Sequence, residues 1–183
     1  YFKIYCGYAT GDQLLTSTIK PIVQQLLDEK AVSHWFFIRY SDPKPHLRIR
    51  FHCEEVSAIG KVISSINKGL KPFIENDLVS NVQLDTYNRE LERYGKHTIE
   101  ASEQLFFHDS EMVVNFLDLI EGEEGEELRW LFSLKAMDSI LSSFGYSDDA
   151  KLHLMEHLKT GFGNEFGANK DLRKQLDAKF RRF

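Results

Sequence analysis

Residues 2–6 set Phe2, Ile4 and Cys6 against Lys3 and Tyr5, the two-residue period of a half-buried strand. Gly7 and Gly11 punctuate the chain. From Asp12, a side chain suited to an N-cap, apolar residues recur at Leu15, Ile19, Ile22, Val23, Leu26 and Leu27. That is the stripe of an amphipathic helix, which Pro21 is expected to kink. HWFFIRY and PHLRIRFH, separated by the two-proline turn SDPKP, predict a β-hairpin. In EEVSAIGKVISSINKGLKPF, Val56, Ile59, Val62, Ile63 and Ile66 fall on one helical face, with Gly69, Lys71 and Pro72 as its stop. LVSNVQLDTY alternates again, Leu78, Val82 and Leu84 against Asn81, Gln83 and Asp85, and predicts a fourth strand.

The order β-α-β-β-α-β is a split βαβ arrangement, so residues 1–88 are expected to form a ferredoxin-like antiparallel sheet with two helices on one face. Helical spacing then predicts helices over 98–121, 125–144, 148–160 and 168–181, broken by EGEEGE, FGYSDD and TGFGNEFG. The fold class is therefore α+β followed by an all-helical half. We read residues 1–183 as a single domain with a sheet part over 1–96 and a helical part over 97–183. The sequence shows no internal repeat, and its one biased segment is the Glu/Gly stretch 121–127.

The 14 Phe, 7 Tyr and 2 Trp among 183 residues supply enough apolar area for a folded core. Two cysteines, Cys6 and Cys53, without a CxxC spacing point away from a disulfide framework or structural zinc and toward a reducing, cytoplasmic setting. No apolar run approaches the roughly 20 residues of a membrane span, and YFKIYCGYATGD lacks the regions of a signal peptide. The opening on Tyr1 reads as that of a part trimmed from a longer chain. A net charge of −5 exerts no global pull on nucleic acid. It is unevenly shared: residues 97–128 hold ten Asp or Glu and no Lys or Arg, whereas 39–50 hold Arg39, Lys44, Arg48 and Arg50 against one acid. The acidic run reads as a solvated helix face.

In PHLRIRFH, strand alternation sends Leu47, Ile49 and Phe51 to one face and His46, Arg48, Arg50 and His52 to the other. Helices pack on the apolar face, so the basic face is expected to stay open. Arg39 on the partner strand and Asn81, Gln83, Asp85 and Tyr87 near the fourth strand are expected to share it. Guanidinium forks bind carboxylate or phosphate bidentately, which makes this a candidate anion site. The bland alternative is a solvated face, or ion pairs to the acidic helices. TYNRELERYGKH, with Arg89, Arg93, Glu90 and Glu92, is read as the rim of the site or as a surface ion-pair network, with Gly95 ending its turn. No nucleotide-binding, metalloprotease or nucleophile-elbow motif occurs. His153 and His157 read as a helix-surface pair, and Phe106, Phe107 and His108 as core and boundary.

Taken together, YFKIYCG, WFFIRYSDPKPHLRIRF, YNRELERYG and ASEQLFFHDSE resemble, in order over residues 1–111, the C-terminal domain of lantibiotic dehydratases, also called the thiopeptide-type bacteriocin biosynthesis domain. The tail GFGNEFGANKDLRKQLDAKFR is similar as well. The resemblance implies a role in making ribosomally synthesised peptide natural products. In that family a large N-terminal domain transfers glutamate from glutamyl-tRNA to Ser or Thr of a precursor peptide. The smaller domain then eliminates glutamate, leaving dehydroalanine or dehydrobutyrine without a metal or organic cofactor. Carried over residue by residue, elimination falls on Arg48, Arg50 and Arg93, the last with Glu90 three before it. Arg89 is the second choice in that block, and Arg39, His46, Arg89 and Glu90 are read as binding groups. The family's C-terminal His, followed a few residues later by Asn-Arg, has no match here, so the base is unassigned. Expected partners are the precursor peptide, a glutamylation domain or separate partner using glutamyl-tRNA, and optionally a second copy of the chain. Two alternatives stand beside elimination: formation of a pyridine-type ring from two dehydroalanines, and a non-catalytic peptide-binding module.

Overall fold

Four strands, β1 (Phe2–Cys6), β2 (His34–Tyr40), β3 (His46–His52) and β4 (Val79–Leu84), pair antiparallel in the order β2-β3-β1-β4. This computed structural model describes residues 1–181, in two compact units that meet in sequence at Ile120 and Glu121. The register places Phe2 opposite Ile49 and Ile4 opposite Leu47, so all four point to the same side and are buried there. Helices on that side complete the core with Leu14, Leu15, Ile19, Leu26, Ile66 and Leu70. Each such aliphatic side chain contributes roughly 1.5–3 kcal/mol relative to its exposed state.

The first helical run is continuous but not uniform: α1 (Tyr8–Leu14) widens into a π-helical segment, Leu15–Ile19, before α2 (Lys20–Asp28). Pro21 occupies the first turn of α2, where its missing N–H matters least, and the widened segment lies immediately before it. The run starts after Gly7 rather than at Asp12, which lies one turn inside and pairs its carboxylate with Arg39. α3 (Val56–Glu75) continues through Pro72 instead of stopping there. The proline forfeits a single intrahelical bond, and Asn76 Nδ2 then closes the end by donating to the Pro72 carbonyl at 2.7 Å. Gly69 permits close approach of α3 to the π-helical segment, because a Cβ there would lie 2.6 Å from Ile22 Cδ1 and 2.7 Å from Thr18 Cγ2. In the pairing of β1 with β4 an irregularity between Tyr5 and Cys6 shifts the register, so Val79 enters the core while Leu78 is exposed.

After the short α4 (Leu91–Tyr94), α5 (Ile99–Leu117) runs beside the edge strand β2. The Phe37 N–H donates to Ser110 Oγ at 3.1 Å and Trp35 Nε1 donates to Glu111 Oε1 at 2.5 Å. The helix thereby supplies partners to an edge that would otherwise be open to another strand. The sheet's compact unit thus includes the first helix of the acidic segment and extends to Ile120, beyond the 96/97 point at which the helical pattern begins.

The second unit contains α6 (Gly122–Ser143), α7 (Asp148–Glu165) and α8 (Lys170–Phe180). Ser147 Oγ and Asn169 Oδ1 cap α7 and α8 by accepting from the N–H groups of Ala150 and Leu172. α7 passes through Gly161 and Gly163, and the turn comes instead at Gly167, whose φ of +58° favours glycine. The His153 and His157 rings lie 4.6 Å apart on α7, and no group of three or more potential metal ligands gathers among the described residues. No helix among the described residues is long and apolar enough to cross a membrane.

Ile66 is fully buried between α3 and the sheet, so Ile66→Ala is expected to cost about 2–5 kcal/mol through lost burial and a residual cavity. Ile59→Ala, on the exposed flank of the same helix, is expected to cost under about 1 kcal/mol. Urea unfolding of both variants measures the contrast.

Candidate functional site

The alternation of β3 holds in three dimensions: His46, Arg48, Arg50 and His52 leave the face opposite the core. β2 adds His34, Phe36, Ile38 and Tyr40, its register partners across that face. From the other side, β1 sets Tyr5 and Lys3 against His46 and Arg48, and β4 sets Asn81 and Gln83 against Tyr5 and Lys3. The result is a row of cations bordered by aromatic rings and amides.

Arg50 is the centre of this face. Its guanidinium lies 4.6 Å from the Tyr87 ring centroid, 5.1 Å from Phe36 and 5.4 Å from Tyr1. A cation over each ring face gains on the order of 0.5–2 kcal/mol when partly desolvated. Its Nε is buried without a hydrogen-bond partner among the described residues. Burial pulls the guanidinium below its ordinary value, and the charge of Arg48 adds to that, against the opposing influence of Tyr87 and Tyr1. Arginine keeps its proton regardless, so the site holds a permanent, incompletely satisfied cation.

Arg48 is held from two sides. Its Nε–H donates to His46 Nε2 at 3.0 Å, and its guanidinium lies 3.8 Å over the Tyr40 ring. His46 is buried, and its Nδ1 lies 2.8 Å from the Lys44 carbonyl. A carbonyl can only accept, so the imidazole proton sits on Nδ1 and Nε2 offers its lone pair to Arg48. Among the described residues neither Arg48 nor Arg50 has a carboxylate partner, although acids stand nearby. Those acids are engaged elsewhere: Asp85 takes Lys3 Nζ at 2.6 Å, and that bond, with the Thr86 N–H, holds its carboxyl at about 2. Glu103 on α5, only 3% exposed, takes Arg89 through a bidentate pair at 3.0 and 2.6 Å.

The segment after β4 reaches Arg50 through Tyr87, which also sets its ring edge-on to Phe36 at 5.7 Å. Arg89 is committed to Glu103, with Glu100 further off at 3.8 Å. Arg93 sits on α4 with 71% of its side chain exposed and a loose 3.4 Å contact to Glu90. Gly95, at φ +78°, ends that turn as expected. Arg39 departs from expectation. Its register partner is Leu47, which puts it on the helix-covered face with Trp35 and Phe37, where Asp12 and the Tyr8 carbonyl receive it. It does not join Arg48 and Arg50.

Residue patterns placed Tyr87 on this face but missed Phe36 and Tyr1 around Arg50. Phe36 is identifiable from the hairpin register alone, since it lies directly opposite Arg50, but Tyr1 and Tyr87 come from distant segments. A cavity of about 640 Å³ opens at this end of the sheet, walled by Phe2, Phe51 and Leu84 of the core face and the first turns of α3 together with Tyr1, His52, Asp85 and Tyr87, and not by Arg48 or Arg50. Two of those walls are the rings that stack on Arg50.

The family described as Lantibiotic biosynthesis dehydratase C-term matches residues 1–183. The chain is 29% identical over 175 residues to Subtilin biosynthesis protein SpaB of Bacillus subtilis, a match covering 94% of this chain and 17% of SpaB. It is 33% identical over 123 residues to Nisin biosynthesis protein NisB of Lactococcus lactis subsp. lactis, covering 66% of this chain and 12% of NisB. Among solved structures, the tRNA-dependent lantibiotic dehydratase MibB from Microbispora sp. 107891 superposes with a TM-score of 0.57 at 30% identity, over 63% of this chain and 11% of MibB. TsrL superposes with a TM-score of 0.66 over 99% of this chain and 54% of its own, a likeness of fold at 17% identity. The chain thus spans about a sixth or less of SpaB, NisB and MibB, and about half of TsrL.

The two arginines of the RELER block are expected to part company in stability measurements. Arg89→Ala strands a buried carboxylate and is expected to cost about 2–3 kcal/mol, below the full buried-pair penalty because Arg89 is partly exposed. Arg93→Ala removes a solvated contact and is expected to stay within about 0.5 kcal/mol of the parent. Denaturant unfolding of the two variants checks the difference. His34 is held below the ordinary imidazole value by burial and then by His52. The unfolded chain therefore binds that proton more readily. This contribution to stability is complete above about pH 6.5 and is lost as the pH falls through the folded-state value. His34→Asn is expected to flatten that part of the pH–stability curve.

Proposed function

Because the chain belongs to the lantibiotic biosynthesis dehydratase C-terminal family, we propose that its arginine face eliminates glutamate from glutamylated Ser or Thr of a ribosomally synthesised precursor peptide, leaving dehydroalanine or dehydrobutyrine. The observation that carries this reading is a pair of fixed guanidiniums, Arg48 and Arg50, without carboxylate partners among the described residues, on a face where Asp85 and Glu103 are taken by other cations. Elimination develops negative charge on the carbonyl next to the α-carbon and releases a dicarboxylate. Planar, preorganised forks suit both anions.

Roles follow from the contacts. Arg50 and Arg48 hold the enolate-like oxygen and a carboxylate. His46 positions Arg48 through the Nε2 bond, and the Arg89–Glu103 pair anchors the segment that brings Tyr87 to Arg50. Arg93 is bound so loosely to Glu90 that a glutamate carboxylate can replace that partner at small cost. Arg39 has no part in the reaction on this reading. The glutamate donor would be glutamyl-tRNA, used by a larger domain or a separate partner. MibB, described as tRNA-dependent, is the relative that supports this step.

Losing one preorganised oxyanion donor typically slows a reaction on the order of 100- to 1000-fold. In the intact protein, supplied with precursor peptide and the glutamylating activity, Arg50→Ala is expected to make glutamyl adducts accumulate where the parent shows water loss. Arg50→Lys should fare almost as badly, since an ammonium keeps the charge but not the fork. Mass spectrometry of the peptide reads both variants. Unimpaired dehydration in Arg50→Ala, or its loss without any glutamyl adduct, would falsify the assignment and favour a peptide-binding module.

A further inference from the structure

Beside the arginines the same two strands carry a second cluster. His34 and His52 are register partners whose rings stack at 4.5 Å and 13°, one step along the face from the Phe36–Arg50 pair. Ser33 Oγ lies 3.1 Å from His34 Nδ1 and 2.9 Å from His52 Nδ1. A hydroxyl has one hydrogen, so it donates to one imidazole and accepts from the other. The two rings must therefore hold opposite tautomers.

Their surroundings decide which is which. His34 is buried against Glu103 and Arg89 of the neighbouring segments, and its burial disfavours a charge. Glu54 Oε1 lies 3.8 Å from His52 Nδ1, a carboxylate that suits a proton on that nitrogen, so the serine hydroxyl accepts from His52 Nδ1–H and donates to His34 Nδ1. His52 is left with a bare Nε2, which has no hydrogen-bond partner among the described residues, on a ring that walls the 640 Å³ cavity. The other charged groups that face the ring are Asp85, on the wall of the same cavity, and Arg50, two residues back on the strand. Cys53 and Tyr87 are the remaining titratable groups of the cavity wall apart from Tyr1. Arg50 and His52 leave the same face of one strand two residues apart, about 7 Å at the backbone, so both side chains can reach one peptide unit.

We infer that His52 is the base that removes the α-proton, with Ser33 and His34 as residues that position it. The inference rests on the elimination reading. In the step, the α-hydrogen passes to His52 Nε2 and the electron pair of the C–H bond becomes the Cα=Cβ bond. The Cβ–O bond breaks, its electron pair leaves with glutamate as a carboxylate, and the imidazolium returns its proton to solvent.

The test supplies the intact protein with precursor peptide that is already glutamylated and follows glutamate release against pH. His52→Ala is expected to release glutamate about 100- to 10,000-fold more slowly, in kcat rather than KM, to lose the acid limb of the pH–rate profile and to recover rate with added imidazole. Ser33→Ala is expected to displace that limb and leave KM unchanged. His52→Asn, which keeps a donor toward Ser33, carries the comparison if His52→Ala has a lowered Tm. Release at the parental rate with an unchanged acid limb, or a slow variant that imidazole does not restore, overturns the base and leaves the elimination reading intact. Absence of release by the parent protein from the preformed ester overturns both.

Discussion

The register of β3 is the constraint from which the rest follows. Slipping this interior strand by one residue would drive Arg48 and Arg50 under the helices and expose Leu47 and Ile49, because side chains alternate with a period of two. An unpaired buried guanidinium costs several kcal/mol, and two well-buried aliphatics would be lost in the same move. The core thus fixes the position of the cations without touching them. The helices need one face of the sheet, and the chemistry is confined to the other.

Arg48 and Arg50 then raise an electrostatic question: why does a domain with a net charge of −5 leave two adjacent guanidiniums without a carboxylate partner among the described residues? The nearby acids are bound by shorter contacts to Lys3 and Arg89, each attached to the element that carries the acid or to its neighbour. The rings of Tyr1, Phe36, Tyr40 and Tyr87 compensate in part, offering electron-rich faces that attract a cation without neutralising it. Aromatic walls also lower the local dielectric, so an anion placed here gains more from each fork than it would in water. A carboxylate in their place would have filled the site permanently.

The strands and their order were legible because β1 and β3 alternate cleanly between apolar and polar residues. β2 was not legible in the same way. Trp35, Phe36, Phe37 and Ile38 are apolar on both faces, so its pattern carries no polarity, and the side on which Arg39 falls emerges only from the pairing with Leu47. Phe36 is apolar because it lies beside a guanidinium and next to α5, a reason no periodicity expresses. The helix limits failed for related causes. Pro72 and Asp12 are strong local signals, but tertiary contacts of α3 with the sheet and of Asp12 with Arg39 outweighed them. Of the arginines nominated from the pattern, Arg48 and Arg50 lie together on one face, while Arg89 is tied to α5 and Arg93 points to solvent.

The acidic segment illustrates how burial divides a uniform run into separate tasks. Glu100 is solvated, whereas Glu103, one turn later, is buried with Arg89, and Glu111 accepts from Trp35 on the opposite face of the sheet from Arg50. α5 therefore secures the edge strand from the core side and the Tyr87–Arg89 segment from the open side at once. The two attachments differ in kind. Val114 and Ser110 are buried against the sheet, where burial is cooperative with the core, but the Arg89–Glu103 pair is partly open to water and easier to break. Strand register therefore fixes Arg48 and Arg50, while the segment that carries Tyr87 to them is held by its ring contacts with Phe36 and Arg50 and by a buried carboxylate that the sequence presents as one acid among ten.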